Sequence, residues 1–135
     1  MQELITNIAS KIGIDEALAQ KAVSVVLSLV QSQGDDSVVG QLFDKMPGAA
    51  DLASSGSSAL ESGSGGGGLM GMVGGLLGGS GGEIMSALSQ LKSEGLETGQ
   101  IKEIGGEVLN YAKEQGGEDL VEKLTGSIPG LDKFL

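Results

Sequence analysis

A chain of 135 residues without Cys, His, Trp or Arg cannot build a Ser-His-Asp or Cys-His triad, a disulfide, a thiolate nucleophile or a sulfur-ligated zinc site. Its 8 lysines face 18 acids, for a net charge of -10 at pH 7, and no segment is basic: residues 1–53 carry three Lys and seven acids, 54–82 only Glu61, and 83–135 five Lys and ten acids. Such a surface repels nucleic acid and anionic headgroups, and Phe43, Tyr111 and Phe134, the only aromatics, make no base-stacking platform, so nucleic acid is excluded as a partner.

The start, Met1-Gln2-Glu3-Leu4-Ile5-Thr6-Asn7, has no basic stretch followed by an apolar run, and Gly does not follow Met1. The expected address is therefore the cytoplasm. Over 2–12, Leu4, Ile5, Ile8 and Ile12 recur at helical spacing and predict a short amphipathic helix. Gly13 stops it, Ile14 is the apolar residue that closes a glycine cap, and Asp15 is a good N-cap for the next helix. That helix spans about 16–33 and is apolar nearly all round, which predicts a buried helix. A strand competes over Val23–Val30 because β-branched residues favour sheets, but length and the helix-forming start at 16–21 decide for helix. Gly34 ends it. A third helix covers about 36–45 through Val38, Val39, Leu42 and Phe43, and Met46-Pro47-Gly48 breaks it.

Residues 54–68 hold six Ser and six Gly, a flexible-linker composition. Residues 83–94 then predict a helix through Ile84, Leu88 and Leu91, stopped by Gly95. Thr98 is the expected cap of a helix over about 99–115, ended by Gly116-Gly117. A short helix over about 118–125 carries Leu120, Val121 and Leu124, and Ile128-Pro129-Gly130 breaks it before Leu131, Phe134 and Leu135.

The two halves correspond without gaps at an offset of 82. Gly13 falls on Gly95, Ile14 on Leu96, Val26-Leu27 on Val108-Leu109, Gln33-Gly34 on Gln115-Gly116, Leu42 on Leu124, and Met46-Pro47-Gly48 on Ile128-Pro129-Gly130. These are helix stops, core positions and breaks, the positions a fold dictates. The expected fold is all-α: two pseudo-repeated three-helix units, 1–53 and 83–135, joined by a Gly/Ser-rich connector over 54–82.

The stretch from Leu96 to Leu124, with Ile101, Val108-Leu109, Tyr111, Gly116 and Leu120, resembles the C-terminal part of the Vcg-type bacterial family (VcgC/VcgE). Upstream, Ile14, Asp15-Glu16, the Val/Leu-rich helix, Gly34 and Pro47-Gly48 followed by a Gly-rich apolar stretch resemble it too. The family is of unknown function, and the resemblance brings no catalytic residues to carry over. Many members look exported, whereas no signal peptide is expected here.

Among short motifs, Gly63, Gly65 and Gly68, and again Gly66, Gly68 and Gly71, satisfy G-x-G-x-x-G. That pattern binds phosphate only between a strand and a helix, and here Ser-rich sequence precedes it. Asp15-Glu16, Asp35-Asp36 and Glu118-Asp119 stand at helix starts, where acids complement the dipole. Glu103 and Glu107, four apart, read as a solvated face with Lys102 and Lys113. No metal or cofactor is expected. An enzyme would have to work with carboxylates, Lys or Tyr111 alone, and the reading is that this is not an enzyme.

The most informative stretch is 69–82. As a helix it sets Gly67, Gly71, Gly75 and Gly79 in one ladder and Gly74, Gly78 and Gly82 in a second. Leu69, Met70, Met72, Val73, Leu76 and Leu77 are its large apolar residues, too few for a membrane span. Small-xxx-small ladders permit close helix approach, whereas each Gly costs about 1 kcal/mol relative to Ala in a lone helix. A mobile linker, a segment ordered against another copy and a peripheral membrane contact are the three readings. Because exposed uncharged apolar clusters invite association, the expected role is a self-associating interaction or structural protein, a homo-oligomer. Its contacts would be Leu69, Met70, Met72, Val73, Leu76 and Leu77, with Gly71, Gly75 and Gly79 allowing approach. The alternative is a module holding a small apolar ligand or lipid between the two units.

Overall fold

A computed structural model describes residues 1–63, 84–85 and 87–128, the backbone alone over 59–63. These residues form seven helices and no strand. They are α1 (Gln2–Ile12), α2 (Glu16–Gln33), α3 (Asp36–Lys45), α4 (Ala49–Gly63), α5 (residues 84, 85 and 87–93), α6 (Thr98–Gly116) and α7 (Glu118–Ser127). The segment 69–82 and the closing Pro129-Gly130, Leu131, Phe134 and Leu135 lie outside the described residues.

The helix stops work by the chemistry expected of them. Gly13 adopts the left-handed conformation, φ 79°, and the N–H groups of Gly13 and Ile14 both donate to the Ala9 carbonyl, at 2.9 and 3.0 Å. Gly95, φ 101°, ends α5 in the same way, with Leu96 N–H donating to the Leu91 carbonyl at 3.2 Å. A side chain at either φ would be strained, and the six-residue bond returns a carbonyl that the helix end leaves open. Asp35 caps α3, its carboxylate accepting from Ser37 N–H at 3.0 Å. Asp15 occupies the N-cap of α2 without a side-chain cap bond.

α2 is the centre of the molecule. Every residue from Ala22 to Val30 is buried, because α1, α3, α4 and α6 pack around it. Ile8, Leu27, Leu42, Ile101, Ile104 and Leu124, none more than 1% exposed, join one core that draws on both ends of the chain. Burial of each such side chain is worth roughly 1.5–3 kcal/mol. α6 is the less covered helix: Lys102, Glu103, Asn110, Lys113 and Glu114 line its exposed side.

Two expectations are corrected here. The Ser/Gly-rich stretch expected as linker from residue 54 is helical as far as Gly63, and α4 begins directly after the Met46-Pro47-Gly48 turn, with Ala49 N–H donating to the Met46 carbonyl at 3.0 Å. The described first half therefore has four helices, not three. Ala49, Leu52, Ala53 and Gly56 are buried at i, i+3, i+4 and i+7, an apolar helical stripe in which Leu52 is the one large side chain. Ser54, Ser55, Ser57 and Ser58 each donate to the carbonyl four residues back, at 3.0–3.2 Å, so their hydroxyls are satisfied within the helix. The other correction concerns α6, whose first helical residue is Thr98 and whose N-cap is Glu97. The Glu97 N–H donates to Gln100 Oε1 at 2.8 Å, the return bond of a capping box from one turn inside the helix.

Candidate interaction surfaces

The structure describes two packing surfaces between helices. Leu69, Met70, Gly71, Met72, Val73, Gly75, Leu76, Leu77 and Gly79, the contact residues expected from sequence, all lie outside the described residues. The elements on either side of them are α4 and α5.

α4 lies against α2 backbone to backbone. A Cβ placed on Gly56 would stand 2.0 Å from the Ser24 carbonyl oxygen and 2.9 Å from Val25 N, far inside contact. The opposing face of α2 carries Ser24, Ser28 and Ser32, one every turn. Ser24 and Ser28 are buried. The Ser24 hydroxyl donates to the Gln20 carbonyl at 2.8 Å, and the Ser28 and Ser57 hydroxyls bond across the seam at 2.7 Å. Burial of these hydroxyls is tolerated because each has a partner. α4 turns this serine row into a helix–helix seam.

The other described surface joins α1–α3 to α5–α7. Gly34 carries no left-handed backbone at its φ of −77°. Its need for glycine is space, since an added Cβ would lie 2.6 Å from the Val30 carbonyl, 2.7 Å from Val39 Cγ2 and 2.9 Å from Leu124 Cδ1. At the corresponding point of the other half, a Cβ on Gly116 would lie 2.8 Å from Leu42 Cδ1 and 3.4 Å from Leu120 Cδ1. Each glycine thus admits a leucine from the opposite half, Leu124 in one case and Leu42 in the other. Asp35 N–H donates to Ser127 Oγ at 3.3 Å beside the first contact.

Charge reinforces the same boundary. Lys11 of α1 hydrogen-bonds Glu107 of α6, and Lys21 of α2 reaches Glu94, just beyond α5, at 3.3 Å. The bond to Glu107, its negative charge and that of Glu103 hold Lys11 above the ordinary lysine value of 10.5. Glu103 and Glu107 therefore do not act as a carboxylate pair: Glu107 is engaged by Lys11 and Glu103 stays exposed. Lys113, expected beside them, pairs instead with Glu118 at 2.7 Å.

Among the described residues no group of three or more acids could hold a metal ion, and no helix is long and apolar enough to cross a membrane. Met85, 52% exposed, is the one large apolar side chain standing open among them. These features define the class: an all-helical protein whose two ends close one shared core. Compared with protein families, curated proteins and solved structures, the chain gives no match.

Proposed function

We propose that this is a non-enzymatic interaction or structural protein that self-associates, with Leu69, Met70, Met72, Val73, Leu76 and Leu77 as contacts and Gly71, Gly75 and Gly79 permitting close approach. The observation that carries the proposal is the stretch 62–82, which holds no charged residue and six large apolar ones in a chain of net charge -10. Uncharged apolar clusters of that kind mark association surfaces. The seam between α2 and α4 supports it by example, since this chain already packs two helices through small residues, glycine against backbone.

The proposal includes the duplication. α2 and α6 begin at residues 16 and 98, and α3 and α7 at 36 and 118, the same offset of 82 found in the sequence. Buried pairs follow it as well: Ala19 with Ile101, Ala22 with Ile104, Val26 with Val108, Leu42 with Leu124 and Met46 with Ile128. Kinship with the Vcg-type family belongs to the same proposal and rests on the sequence pattern alone.

Light scattering across a range of concentrations tests it, comparing wild type with Gly71→Asp/Gly75→Asp, with helicity followed by circular dichroism. The expected result is a wild-type multimer and a folded, monomeric variant. Two monomers of equal helicity would remove the segment as an assembly surface.

A further inference from the structure

We infer that the face on which α1–α3 receive α5–α7 is a docking surface for a second copy of this chain, which enters by exchanging its α5–α7 half. The partner is the one named under Proposed function, so the inference rests on that self-association reading, but the surface is a different one.

Three observations carry it. First, the contacts across the boundary are made by side chains of described helices on both sides: Leu124 into the space at Gly34, Leu42 into the space at Gly116, and Lys11 to Glu107. They are indifferent to whether one chain or two supplies the halves. Second, neither half has a complete core. Half-length chains bury only ~60% of their unfolded surface, and here Leu42 and Leu124 are each seated against the opposite half. A half released from its partner exposes an apolar face that only the other half fits. Third, the charges select that fit. Both halves are acidic, so random approach is repulsive, and Lys11 and Lys21 of the first half meet Glu107 and Glu94 of the second.

Within one chain the second half is presented at an effective concentration of order ~1 mM. Exchange therefore competes when chains refold near that concentration: about half the chains should exchange at ~1 mM and ~1% at ~10 μM.

The test uses the absence of native cysteine. Full-length Lys11→Cys and Glu107→Cys chains are unfolded, mixed, refolded together and treated with a short bifunctional thiol reagent. Neither chain contains both thiols, so a link between positions 11 and 107 forms only in the exchanged arrangement. The expected result is a covalent dimer from the mixture, absent from either chain alone, rising about fiftyfold in fraction between ~10 μM and ~1 mM refolding. The double variant Lys11→Cys/Glu107→Cys, refolded dilute, should link within one chain. If it does and the mixture does not, the inference is overturned. Independently, light scattering follows Gly71→Asp/Gly75→Asp after refolding at both concentrations. A dimer at the higher one is expected, and a monomer at both overturns the inference. These two substitutions remove the glycine-segment surface but not the exchange surface. If they abolish the wild-type multimer and leave the refolded dimer, both readings stand. Should the refolded dimer vanish with the multimer, exchange is wrong and the segment alone associates.

Discussion

Gly56 and Gly106 both sit inside helices, and the space around them sets opposite outcomes for the same substitution. Alanine at an open helical site gains roughly 0.5–1 kcal/mol over glycine, because glycine gives up more conformational freedom on folding. A Cβ on Gly106 meets nothing within 4 Å, so Gly106→Ala should stabilise the protein by about that amount. On Gly56 the new atom falls 2.0 Å from the Ser24 carbonyl oxygen, a backbone atom that cannot swing aside. α4 must lift from α2, and overpacking of this kind costs about 1–3 kcal/mol. Urea unfolding of both variants checks the pair. Equal shifts would show that α4 does not sit close on α2.

Among the elements, α1 is held to α6 by an exposed ion pair as well as by its apolar face. Glu107 raises the Lys11 value above 10.5. A raised value for a cation means the charged form is favoured in the folded state, so its stabilising effect is complete below the ordinary lysine range. The effect is lost as pH climbs past 10.5 and through the elevated value. Wild type should therefore melt higher than Lys11→Met at neutral pH, and the difference should shrink at strongly alkaline pH, where the ammonium is neutral. Thermal melts at a series of pH values decide it. A difference that persists unchanged at high pH would mean that Lys11 acts through its aliphatic stem.

For the whole molecule the shared core should make unfolding a single event. Leu124 is fully buried and seated at Gly34 in the opposite half. Leu124→Ala should cost about 2–5 kcal/mol and weaken α1–α3 as much as α7. Tyr111, the one tyrosine of a chain without tryptophan, lies in α6, so its fluorescence follows the second half while far-ultraviolet circular dichroism follows every helix. The two unfolding curves should superimpose in wild type and in the variant, the mark of two-state behaviour. A tyrosine transition that precedes the loss of helicity would mean that the halves unfold separately.

Sequence alone determined the helical class, the ends of α1, α2 and α3, and the two glycine stops, because those features follow from local periodicity and from the φ that only glycine adopts readily. The burial of α2 on every side was legible too, in its near-absence of a polar face. α4 was not. Ser and Gly favour coil by composition, and of the stripe Ala49, Leu52, Ala53 and Gly56 only Leu52 is a large apolar residue, although its i, i+3, i+4, i+7 spacing was there to find. Only the tertiary structure decided that this stretch is a helix, since its stability comes from lying flush on the serine face of α2. The partner of Lys11, the leucines admitted by Gly34 and Gly116, and the closing of one core by both ends of the chain were settled there as well. Each depends on which distant residues meet, and spacing along the chain does not encode that.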